Sequence, residues 1–82
     1  MRLDELPKGG RAVVTTVHRR SADDAIAQRL MELGFVSGEP VRLLATGPLG
    51  GEPLLVQVGY TRFALRRAEA ARIEVAMEGR DQ

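Results

Sequence analysis

The stretch Arg29 to Val41, "RLMELGFVSGEPV", decides how the chain folds. Leu30 and Leu33 are spaced to share one face of a helix, and Gly34 follows them directly. A helix commonly ends on a residue in the left-handed conformation, and glycine adopts it without the Cβ penalty. The spacing therefore predicts a helix stopped at Gly34, with Phe35 folded back on Leu30 as the apolar contact of a Schellman ending. "VSGEP" then reads as a type II turn with Gly38 at its third position, and Pro40 is tolerated at the start of a strand.

Upstream, "SADDAIAQRLMEL" (21–33) supplies the body of that helix. Ser21 is placed as the N-cap with Asp24 three residues on, and Asp23 and Asp24 suit the positive end of the helix dipole. Ile26, Leu30 and Leu33, at i, i+4 and i+7, predict the apolar stripe that faces the core. A helix this short is marginal alone in water, so it must pack on something.

That partner is a sheet. "RAVVTTVH" (11–18) is rich in β-branched residues and is entered from Gly9-Gly10, which predicts a first strand. "VRLLAT" (41–46) and "LLVQVGY" (54–60) read as strands joined by the loop "GPLGGEP", taken as mobile, and "RFALR" (62–66) and "RIEVA" (72–76) add two more. "RAEAA" (67–71) between the last two reads as one helical turn, and "EGRDQ" (78–82) as a frayed end. About five short strands are too few for a sandwich. The expected fold is mainly β, a small barrel with one helix inserted between its first and second strands.

The 82 residues, 44% of them hydrophobic, bound the chain to one small domain over 1–82. There is no cysteine, hence no disulfide framework and no thiolate chemistry, in keeping with a reducing cytosol. The acidic, h-region-free start "MRLDELPKGG" is no secretory signal, and apolar runs fall far short of the ~20 residues a membrane helix needs. The expected location is cytoplasmic, without direct membrane insertion. Twelve Lys+Arg against eleven Asp+Glu lack the excess typical of nucleic-acid domains, and one Tyr and two Phe offer little for base stacking.

The residues that could carry chemistry are few. His18, the one histidine, could form a partial metal site with Asp23, Asp24 or Glu52, but a catalytic zinc normally needs three protein ligands. A solvated surface histidine is the stronger reading, and no cofactor is expected. The glycine-rich stretch 47–51 lacks the Gly-Lys-Ser/Thr ending of a phosphate loop. No nucleophile has a base beside it and no carboxylate pair is spaced for acid/base work, so no enzyme is expected. Leu49, apolar at a glycine-flanked tip, and Met31, off the buried stripe, are candidate contacts for a protein partner, together with Gln28 on the outer helix face. Arg62 and Arg66, with Arg67 and Arg72, form a candidate basic patch partly balanced by Glu69 and Glu74.

Taken together, "RLMELGFVSGEPVRLLATGPLGGEPLLVQVGYTRFALRRAEAARIEV" resembles the FeoA family of small cytosolic proteins of bacterial ferrous-iron uptake. Its most specific parts are Leu33-Gly34-Phe35 followed by Gly38, the Gly-Glu-Pro before the third strand-rich segment, and Gly59-Tyr60 leading to Ala64-Leu65-Arg66 and Ile73. The resemblance implies an SH3-like barrel with a helical insertion, and a non-enzymatic accessory of FeoB, a membrane iron transporter with a cytoplasmic GTPase domain. It carries over no iron ligands. The rival expectation is a small-barrel regulatory domain of the kind found in metal-dependent repressors, or an RNA-binding small barrel. The reading also leaves open a weak homodimer.

Overall fold

The computed structural model describes residues 1–77, so the expectation of a frayed "EGRDQ" lies outside the described residues. Alternating side chains build one antiparallel sheet from β1 (Arg11–Val17), β2 (Pro40–Gly47), β3 (Gly51–Val58), β4 (Thr61–Leu65) and β5 (Ile73–Met77), in the order β4-β3-β2-β1-β5. Ala12, Val14, Val41, Leu43, Leu54, Val56, Val58, Leu65, Ile73 and Val75 point inward, and their period of two fixes the register. Register shifts between Val14 and Thr16 on β1 and between Leu43 and Ala45 on β2 bend the sheet around this core, as bulges do. No ladder joins β4 to β5 among the described residues; the one-turn helix α2 (Arg67–Ala70) connects them and buries Ala70.

The inserted helix α1 (Ala25–Glu32) is shorter at its start than expected, because Asp24 and not Ser21 is the N-cap. The Asp24 carboxylate accepts from the Ile26 and Ala27 amides at 3.1 Å, satisfying two of the donors a helix leaves open at its first turn. The buried face also differs from the expected one. Ala27 and Leu30 are buried and Leu33 packs partly against the core, whereas Ile26 is 41% exposed, so the expected Ile26 stripe is corrected to one through Ala27.

The helix ends as its sequence predicts. The Phe35 amide donates to the Leu30 carbonyl at 3.1 Å and the Gly34 amide to that of Met31 at 3.1 Å, the two bonds of a Schellman ending, with Gly34 at φ +114°. Phe35 is fully buried in the same core cluster as Leu30 and its ring lies 6.1 Å from that of Phe63. The turn Val36 to Glu39 closes with the Glu39 amide on the Val36 carbonyl, with Gly38 at φ +92° in the third position. Val14 stitches that turn to β1, donating to Glu39 and accepting from Gly38.

Both hairpins are tighter than expected. β3 starts at Gly51, so the expected mobile loop between β2 and β3 is a short turn: Glu52 N–H donates to the Leu49 carbonyl at 3.1 Å, and Gly50 and Gly51 between them have φ +65° and +84°. Positive φ at both central positions is the type I′ geometry whose twist matches paired strands. At the other end Gly59 and Tyr60 are a two-residue turn between Val58 and Thr61 and not the end of a strand. A 3-10 turn at Leu3–Glu5, not anticipated, buries Leu3 in the core, and Leu6 beside it is buried too.

Candidate functional site

The weak metal candidates do not converge. Asp24 is buried, and its second oxygen takes the Arg20 amide at 2.9 Å and the Arg72 guanidinium. Those contacts, the Arg72 hydrogen bond foremost and the Arg20 and Ala27 amides after it, hold its carboxyl well below the usual carboxylate range against the opposing effect of burial. An acid so occupied ties the 18–24 loop, the head of α1 and the approach to β5 together. Asp23 is exposed beside it. Glu52 lies elsewhere and accepts from the Arg67 amide at 2.7 Å, serving the start of α2.

His18 pairs with none of these. Its Nε2 lies 3.1 Å from Glu74 Oε1, while the other oxygen of Glu74 accepts from the amino group of Met1 at 2.9 Å. The hydrogen bonds from the amino group and then from His18 lower the Glu74 carboxyl from its ordinary value. Sequence reading did not link Glu74 to His18 or to the amino group, because these partners stand 56 and 73 residues away along the chain. No group of three His, Cys, Asp or Glu side chains among the described residues is placed to hold a metal ion.

The partner-contact candidates scatter over the surface. Leu49 is 80% exposed at the tip of the β2–β3 hairpin. Met31, off the buried stripe as expected, is half-buried and lines a shallow groove with Thr15, Val17, Arg19 and Val36, its sulfur 3.8 Å from an Arg19 nitrogen. Gln28 bridges Arg19 at 3.2 Å and Glu32 at 3.2 Å. Arg66 is exposed at the head of α2, and Arg62 is exposed on β4. The expected basic patch is divided, since Arg67 and Arg72 are turned to inner partners, the carbonyl of Asp4 at 3.3 Å and the carboxylate of Asp24.

Two features that the sequence reading passed over stand out on the outer face of the sheet. Register sets Arg11 directly opposite Arg42, Arg42 opposite Gln57 and Gln57 opposite Arg62, one row across four strands. An open groove of about 300 Å³ is lined by Arg11, Pro40, Val41, Arg42, Gln57 and Gly59. Tyr60, fully exposed, follows Gly59 in the turn between β3 and β4. No helix among the described residues is long and apolar enough to cross a membrane.

A bent five-stranded antiparallel sheet with one helix between its first two strands defines an SH3-like small barrel. The FeoA domain family matches residues 1–77, and the chain belongs to that family, which is associated with Fe(2+) transport. The chain is 63% identical to Stenotrophomonas maltophilia FeoA, a prokaryotic SH3 domain protein whose crystal structure is complexed with zinc, at a TM-score of 0.85 covering 93% of this chain and 89% of that one. It is 39% identical to the FeoA protein of Chlorobium tepidum, with a TM-score of 0.84 over 100% of this chain and 74% of the other. Over 94% of its length it is 35% identical to a fusion of Fe(2+) transport protein A with the Fe(2+) transporter FeoB from Porphyromonas gingivalis, of which it spans 9%. Likeness to T. acidophilum IdeR, at 17% identity and a TM-score of 0.78, and to a manganese-dependent transcriptional repressor, at 18% identity and a TM-score of 0.78, shows a shared fold alone.

Proposed function

We propose that the protein is a cytoplasmic, non-enzymatic accessory of ferrous-iron uptake, acting as one domain over residues 1–82 that docks on the cytoplasmic part of a FeoB-like transporter. The observation that carries this reading is the Porphyromonas relative, in which a segment similar to 94% of this chain belongs to the same polypeptide as a FeoB transporter. Fusion makes docking an intramolecular event at high effective concentration, so a contact that a separate small protein must make by diffusion is made there by tethering. The described surface supports a binding role over a catalytic one: its single histidine is engaged with Glu74, and its buried acid with Arg72.

The test is capture of the transporter's cytoplasmic part by the purified protein, with affinity measured by calorimetry. Saturable one-to-one binding, together with reduced ferrous-iron uptake in cells lacking the protein, is the expected result. Intact uptake in such cells and no binding at 100 μM would reject the reading. Stoichiometric binding of an RNA oligonucleotide would favour the rival small-barrel function.

A further inference from the structure

On the outer face of the sheet three arginines stand in one cross-strand row. Arg11, Arg42 and Arg62 are exposed, with only Gln57 interposed, and strands spaced ~4.8 Å apart make the row ~14 Å long. Like charges directly opposite one another on paired strands are destabilising, and Arg11 and Arg42 are such a pair. Arg2, Arg29 and Arg72 each meet a carboxylate elsewhere on the protein; among the described residues Arg11, Arg42 and Arg62, like Arg19, Arg20, Arg66 and Arg67, form no ion pair, and the three differ from those in standing in one row. The row thus carries concentrated, uncompensated charge on a protein whose net charge is only +1.

The surroundings suit docking. Arg11, Arg42, Gln57 and Gly59 line the open groove of about 300 Å³, and the fully exposed Tyr60 follows Gly59 in the β3–β4 turn. Tyr and Arg, with Trp, are the residue types enriched among the dominant contacts of protein interfaces, and the planar fork of Arg grips carboxylates two bonds at a time. Tyr60 has no internal packing to explain its place, and the turn that holds it is fixed by Gly59 at φ +58°.

We infer that the Arg11–Arg42–Arg62 row, with Tyr60 at its end, is a docking surface for an acidic segment of a protein partner. Charge complementarity selects the occupant: three guanidinium groups in line match carboxylates presented along an extended chain. Nucleic acid is the poorer fit, because Tyr60 is the sole exposed aromatic beside the row and there is no wider basic excess to track a phosphate backbone. The identity of that partner as the transporter rests on the function proposed above. The surface itself does not, and two probes separate them.

The first probe is a ten-residue glutamate-rich peptide titrated into the full chain and followed by NMR. Shifts confined to Arg11, Arg42, Arg62 and Tyr60 that vanish at high salt are the expected result, whether or not the transporter binds. Shifts elsewhere, no shifts, or equal binding of a ten-nucleotide RNA would overturn the inference. The second probe is the transporter's cytoplasmic part. Arg42→Glu is expected to weaken its binding at least tenfold while leaving the melting temperature equal or higher, since it replaces a repulsive pair with an attractive one. The control Arg20→Glu carries the same charge change about 20 Å away, near the other end of β1, and is expected to bind as wild type. Loss of binding in Leu49→Asp with retention in Arg42→Glu would overturn the inference and leave the docking reading standing.

Discussion

Replacing Gly34 with alanine isolates the backbone cost of the helix ending from any packing cost. Gly34 has φ +114°, a region that L side chains rarely adopt, and a Cβ built there would meet only the Val58 methyl groups, at 3.8 and 3.9 Å. Those are ordinary van der Waals distances, so no clash contributes. Left-handed backbone costs an L-residue about 1–2 kcal/mol, and the alanine's stiffer unfolded chain returns only part of this, which leaves a net loss of ~1 kcal/mol. For a domain of this size that lowers the melting temperature by about 4–8 °C. Urea unfolding followed by circular dichroism should show the midpoint falling with an unchanged slope, the mark of altered stability without altered compactness. An unchanged midpoint would refute the left-handed ending. A loss above ~4 kcal/mol would refute the absence of a clash, since losses that large come from packing or burial faults.

Three further outcomes follow from the same geometry. Leu30→Ala, at a side chain only 1% exposed, should cost ~2–5 kcal/mol, while Ile26→Ala should cost under ~1 kcal/mol; equal losses in urea unfolding would mean the corrected helix face is wrong. Gly47→Ala should destabilise more than Gly34→Ala, because its Cβ would overlap the Glu52 carbonyl and must displace backbone, which melting of the two variants side by side decides. The Asp24 carboxyl titrates lower in the folded protein than in the unfolded chain, so its contribution is complete above the unfolded value near ~3.9 and is lost as pH falls from there toward the folded value. Asp24→Asn should therefore be less stable at pH 7 and lose less further stability between pH 4 and pH 2 than wild type; parallel urea midpoints over that range would contradict the role assigned to Arg72.

The fold was legible where one local rule acts alone. Leu33-Gly34-Phe35 states its own ending, since the left-handed position, the two carbonyls and the returning aromatic all lie within six residues. The alternation of Leu54, Val56 and Val58 likewise announces a strand. The head of the helix was misread because two residue types that cap helices well compete within four positions, and Asp24 also meets Arg72, a partner 48 residues away in sequence that local reading does not reveal. The buried face was missed for another reason: at about 100° per residue Ile26 and Ala27 flank Leu30 on opposite sides, and the packing of the helix on the sheet, not its own spacing, buries Ala27 and leaves Ile26 outward. The Leu3–Glu5 turn escaped for the opposite reason: it is too short for a period to show, and Leu3 is fixed by the core it closes.

The arginine row was illegible for a reason that also explains its position. Arg11 and Arg42 belong to different strands with a helix and two turns between them, and nothing in either strand's own sequence marks them as neighbours. Core packing makes them so. Ala12 opposes Val41 and Val41 opposes Val58, all three buried, and a slip of one residue would send an arginine inward and a core side chain into water. Because side chains alternate across a strand, the register that buries Ala12, Val41 and Val58 forces Arg11, Arg42 and Gln57 onto the opposite face in the adjoining row. The barrel's apolar core therefore holds like charges side by side against their mutual repulsion. A core that supplies that restraint can keep a binding surface charged before any partner arrives, and a partner's carboxylates then relieve repulsion as well as forming bonds.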